Sequence, residues 1–142
     1  MPSTQPNREV RTMKKILLPI DGSIRSLRSI QMAKQFYRPE EVEITILTVL
    51  PGELRLDPDQ KRRTQEELDS WAAMLKEYRV KTAIRQGFPG PEIVRFAENG
   101  FYDAILMTRA SRSSQHKLGS VASYIVREVP YLDVLVMHED KN

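Results

Sequence analysis

The stretch KKILLPIDGS, residues 14–23, decides the fold. Two lysines lead an apolar run that is too short for a helix and is closed by Asp-Gly-Ser, the pattern of a buried strand entering a tight turn. After the turn the hydrophobic period changes. In SIRSLRSIQMAKQFY, residues 23–37, Leu27, Ile30, Ala33 and Tyr37 share one helical face, Ser23 offers an N-cap oxygen, and Pro39 ends the helix. Strand, polar turn and amphipathic helix together open a βα unit.

The same alternation continues along the chain. VEITILTVL (42–50) is β-branched and apolar, as a central strand covered on both faces must be. PGELRLDP (51–58) reads as a loop, and Leu68, Trp71, Ala72 and Leu75 mark a helix from Asp59 to about Arg79, with Trp71 in the core. VKTAIRQG (80–87) is a third strand at the sheet edge, because Lys81 and Arg85 must reach water. FPGPEIVRFAENG (88–100) opens on prolines and closes on Gly100, the start and stop of a short helix. YDAILM (102–107) is strand four. Val121, Ala122, Ile125, Val126 and Val129 mark a helix ended by Pro130, and LDVLVMH (132–138) is strand five.

This βαβαβαβαβ order predicts a doubly wound α/β fold: a five-stranded parallel sheet, order 3-2-1-4-5, with helices on both faces and right-handed crossovers. Ligands in such folds sit beyond the carboxyl ends of the strands, where strand order reverses. For this order the point lies between strands one and four, so two distant segments converge there: Asp21–Ser23 and MTRASRSSQHKLGS (107–120).

Composition bounds the chemistry. The 142 residues suit a single domain over 13–142, preceded by a polar, proline-bearing stretch, 1–12, expected to be a flexible tail. The absence of cysteine excludes disulfides, thiolate nucleophiles and zinc–thiolate sites, and suits a cytoplasmic protein. No apolar run approaches the roughly 20 residues of a membrane span, and the N-terminus lacks a signal-peptide core. The net charge is +3, but Arg8, Arg11, Lys14 and Lys15 against Glu9 account for it, leaving 18 basic and 18 acidic residues elsewhere. That balance argues against a nucleic-acid partner. His116 and His138 are the only histidines, and neither has a carboxylate pair at ligand spacing, so no metal is expected. Asp21 is assigned as a turn cap rather than a general base or Mg²⁺ ligand. Glu66, Glu67 and Asp69 read as a solvated helix face, and no catalytic residue is expected.

Taken in order, these segments resemble the universal stress protein (UspA-like) domain family from Met13 onward. KKILLPIDGS is similar to its first strand, Gly87, Pro89 and Ile93 to its Gly-x-Pro-x-x-x-Ile element, and YDAILM to its Asp-aliphatic-Met strand. LGSVASYIVREVPYLDVLVMH (118–138) is similar to its closing segment. The resemblance implies a Rossmann-like domain of the adenine-nucleotide alpha-hydrolase type that dimerises through its last strand, here Leu132 to His138. It also implies that some members bind ATP. In those, the first-strand aspartate and a second-strand valine flank the adenosine, which places Asp21 and Val49, and the phosphates lie on a glycine loop and a Gly-Ser, which places Gly119 and Ser120. Met107, Thr108, Arg109, Ser111, Arg112 and Val121 complete the cofactor-site candidates.

The glycine loop itself is altered. ATP-binding members carry Gly-x-x-Gly, nine residues, then Gly-Ser or Gly-Thr, because backbone N–H groups cradle an anion only where no Cβ intervenes and φ can turn positive. Thr108 and Ser111 occupy the two glycine places, and the seven residues Arg112–Leu118 make the connection two shorter. Gly119-Ser120 is kept at the start of the fourth helix, with Ser120 read as its N-cap, and the arginines and serines nearby suit an anion. The expectation is a dimeric, non-enzymatic stress-response regulator with no tightly bound cofactor and a protein partner that the sequence does not identify. The alternative is an ATP-binding switch or weak ATPase, holding ATP or another adenine nucleotide in the glycine-poor loop.

Overall fold

The computed structural model describes residues 13–52, 57–108 and 119–137; the expected tail and residues 109–118 lie outside the described residues. Five strands alternate with four helices: β1 (Lys14–Pro19), α1 (Ile24–Phe36), β2 (Val42–Leu50), α2 (Pro58–Ala73), β3 (Arg79–Gln86), α3 (Pro89–Asn99), β4 (Ala104–Thr108), α4 (Ser120–Glu128) and β5 (Asp133–Met137). All neighbours are parallel and the strand order is β3-β2-β1-β4-β5, as the alternation predicts.

Pleating divides the side chains between two cores. Ile16, Leu18, Ile20, Val42, Ile44 and Ile46 face α1 and α2, where they meet Ile30, Met32, Ala33 and Leu68. Leu17, Leu47, Ile105 and Met107 face α3 and α4, where they meet Ile93, Ala97, Ala122 and Ile125. Ile16, Leu17 and Leu18 are fully buried, so β1 is the centre of both layers. Truncating one such leucine to alanine typically costs about 2–5 kcal/mol.

Helix boundaries follow their local chemistry. The Ser23 hydroxyl accepts from the Arg25 amide at 3.2 Å, which caps α1 as read from the sequence, and α1 stops at Phe36 ahead of Pro39. The Asp57 carboxylate accepts from the Gln60 amide at 2.7 Å and caps α2, whose first residue is Pro58. α3 starts on Pro89 and ends on the Gly100 cap.

Three expectations are corrected. The helix read as 59 to about 79 is α2, which ends at Ala73: Leu75 and Tyr78 turn inward, fully buried and 9 % exposed, and successive short turns bring the chain back to the sheet. The Tyr78 hydroxyl then donates to the Tyr37 carbonyl at 2.5 Å. The inner face of α1 is built from Ser26, Ser29, Ile30, Met32 and Ala33, while Leu27 and Tyr37 are half-buried. Small side chains let the helix lie close to the sheet where it crosses β4, so the buried stripe is more polar than hydrophobicity alone suggests. Finally, Gly119 rather than Ser120 is the N-cap of α4; its carbonyl accepts from the Ser123 amide at 2.9 Å, and Ser120 is the exposed first helical residue.

Candidate functional site

The crevice comes from a short pairing. β1 runs beside β2 through six register pairs, Lys14 to Pro19, but meets β4 in only two, Ile16 with Ala104 and Leu17 with Ile105. Beyond Leu17 the strands separate, while Met107 and Thr108 stay paired to Val136 and Met137 of β5. The gap is a cavity of about 200 Å³ at the carboxyl end of the sheet. Ile20, Leu47, Val49, Ile93, Met107 and Val121 give it apolar walls, with Pro19 and Pro89 beside them; Asp21, Ser26, Ser29 and Thr108 are its polar groups.

The β1 side is tightly tied. Oδ1 of Asp21 accepts from the Ser23 amide at 3.0 Å and the Ser23 hydroxyl at 2.6 Å, and lies 3.5 Å from the Ser26 hydroxyl. Oδ2 faces the Arg25 guanidinium at 3.7 Å. The Gly22 amide donates to the Ser26 hydroxyl at 3.2 Å, and Gly22 has φ +82°, a conformation in which any side chain is strained. Partial burial alone would raise the Asp21 pKa, but the Ser23 hydroxyl and amide and the Arg25 charge outweigh it and hold the carboxyl below its ordinary value. An ionised carboxylate already engaged by these donors suits a turn cap, as the sequence reading assigned it, and makes a poor general base. The Ile20 carbonyl is held by the Thr48 hydroxyl at 3.3 Å, which fixes the exit of β1 against β2.

The β4 side is simpler. Gly119 is buried, extended at φ −66° and ψ 166°, and as the N-cap of α4 it brings the start of that helix, two residues before Val121, to the crevice. That end of a helix favours anions.

The structure thus gathers Asp21, Val49, Met107, Thr108 and Val121 around one cavity, and Gly119 caps the helix that brings Val121 to it. Ser120 is exposed and does not line it. Arg109, Ser111 and Arg112 lie outside the described residues, as do His116 and His138. Among the described residues no three His, Asp or Glu side chains form a metal-ligand group. Sequence reasoning did not select Ser26 and Ser29 as site residues. Their signal was the serine period of three from Ser23, which puts hydroxyls on the inner helix face. Pro89 and Ile93 of the Gly-x-Pro-x-x-x-Ile element both line the cavity.

A model of the universal stress protein family matches residues 12–138, spanning all five strands. The chain belongs to the universal stress protein family. A universal stress protein of Methanocaldococcus jannaschii is 33 % identical to it, over 90 % of this chain and 84 % of that one. Two solved structures share the fold at lower identity. One is a universal stress protein in complex with cAMP: 20 % identical, TM-score 0.72, covering 89 % of this chain and 98 % of that one. The other is a universal stress protein family member from Arabidopsis thaliana with AMP bound: 16 % identical, TM-score 0.68, covering 90 % and 93 %. Some members of this fold therefore hold an adenine nucleotide. Among the described residues of this universal stress protein no helix is long and apolar enough to cross a membrane.

Proposed function

We propose that this universal stress protein is a non-catalytic, cytoplasmic regulatory domain over 13–142 that senses adenine nucleotide weakly and acts as a homodimer on a protein partner. The observation that carries the nucleotide part is the apolar cavity of about 200 Å³ with Asp21, Ser26, Ser29 and Thr108 as its polar groups. Ligand pockets commonly run about 300–1,000 Å³, so this one suits the nucleoside portion, with phosphates lying outside toward Gly119. Apolar walls fit a flat base, and a few hydroxyls and one carboxylate fit ribose hydroxyls. The engagement of the Asp21 carboxylate by the Ser23 amide and hydroxyl and by Arg25 supports a binding role rather than a catalytic one.

The dimer would form at β5, whose Val134, Leu135, Val136 and Met137 are half-exposed at a sheet edge. An apolar edge strand left unpaired promotes aggregation, and pairing with a second copy removes the edge.

Calorimetric titration with AMP, cAMP and Mg-ATP is the test. Saturable binding is expected, with a dissociation constant for Mg-ATP weaker than about 100 µM, or roughly −5.5 kcal/mol. Ser29→Leu, which fills the cavity, should abolish it. No heat at millimolar nucleotide would overturn the nucleotide part. Binding of Mg-ATP tighter than that threshold and lost in Gly119→Asp would establish the ATP switch instead, a second reading favoured by the start of α4 at Gly119-Ser120.

A further inference from the structure

A second depression lies on the α3 side of the sheet, between α3 and the outer strand β3, away from the crevice. It encloses about 280 Å³. Arg85, Phe96 and Tyr102 line it, and with Lys15 they form a series of cations and rings. The Arg85 guanidinium sits 4.8 Å from the centre of the Phe96 ring, Phe96 lies 5.7 Å from Tyr102, and the Lys15 ammonium sits 4.6 Å from the centre of the Tyr102 ring. The Tyr102 hydroxyl donates to Thr45 at 2.7 Å, and Lys15 donates to the Gly100 carbonyl at 2.5 Å, so the Tyr102 and Lys15 end of the series is pinned.

The charges in this trough are unequal. Arg95 is matched by Glu92 at 2.6 Å. Arg85 is exposed and, among the described residues, has no carboxylate within 4.0 Å; its side chain donates only to the Ile84 carbonyl. By strand alternation Lys81 and Arg79 share the face of Arg85, with Glu43 across from Arg79 in register. Positive charge therefore exceeds negative along this border. Among the described residues β3 pairs with β2 alone, so its other side is an edge of the sheet along the same line.

We propose that this trough and the outer edge of β3 bind an extended acidic polypeptide segment of a partner protein. An extended chain can bond to the free edge while every second side chain turns to the trough, and carboxylates at those places meet Lys81 and Arg85. A single-stranded nucleic acid fits less well. It would stack its bases on open aromatic faces, and here Arg85 and Lys15 already cover the rings.

The experiment is fluorescence anisotropy of a labelled eight-residue peptide of alternating Glu and Thr, titrated with the full chain. Saturable binding is expected, weakened by salt, unchanged by saturating AMP, and at least tenfold weaker for Lys81→Glu/Arg85→Glu. Arg85→Gln, which removes one charge without reversing it, should fall between the two. Amide shifts of the wild-type protein in the presence of the peptide should cluster on 79–86 and 96–102. Absence of saturable binding, equal binding by the charge-reversed variant, shifts confined to the crevice, or equal or tighter binding of an oligothymidylate of the same length would each overturn the proposal.

Discussion

The two edges of the sheet are opposites. β3 ends one side with Arg79, Lys81, Arg85 and Gln86 exposed among its eight residues, whereas β5 ends the other with Val134, Leu135, Val136 and Met137 half-buried and only Asp133 exposed. Among the described residues each strand pairs on one side alone, so the difference lies in the side chains. Charged side chains keep an edge from pairing with a copy of itself, because the like charges would be brought together; an apolar edge has no such guard. One sheet thus carries an edge suited to a second copy and an edge suited to something of opposite charge.

The largest expected effect breaks the apolar edge. Val136→Lys puts a charge among half-buried neighbours of α3 and α4, costing about 2 kcal/mol or more of stability, and should halve the mass seen by light scattering at tens of micromolar. A variant that stays dimeric would move the interface away from β5. Next, Lys81→Val/Arg85→Val removes the guard from the other edge. It should add concentration-dependent association beyond the wild-type assembly, seen as a mass above that of wild type in sedimentation velocity; a mass equal to wild type would mean that charge is not what keeps β3 unpaired.

The smallest effect sharpens the comparison from between the edges. Asp21→Ala should cost about 1 kcal/mol at neutral pH through lost turn hydrogen bonds, without altering the mass at either edge. Because the Asp21 pKa is lowered on folding, its contribution is fully present above the unfolded carboxylate value of about 4 and is lost as pH falls through the folded value. Denaturation curves of wild type and variant should therefore converge toward acid pH; a constant gap would show that the carboxylate's charge is not what matters.

Much of this was legible in the sequence because the periods are local. The β1 run and the Asp-Gly-Ser turn set the first βα unit, Lys81 and Arg85 put β3 at an edge, and the switch point placed Asp21, Val49 and Thr108 together. The rest depends on how elements meet. Ser26 and Ser29 look solvent-directed until α1 is laid across β4, and the end of α2 is set by the inward turn of Leu75 and Tyr78. The ladder of Arg85, Phe96, Tyr102 and Lys15 draws on four segments, so no spacing along the chain announces it.

The short pairing of β1 with β4 has a mechanical consequence. Two rungs join the half-sheet β3-β2-β1 to the half-sheet β4-β5, a seam weaker than the six-rung joint between β1 and β2. Each half carries one of the two edges. A molecule lodged in the crevice would touch Ile20 and Leu47 on one side of the seam and Met107 and Val121 on the other, and so would act as a strut across it, stiffening the joint between the half that ends on the charged edge and the half that ends on the apolar one.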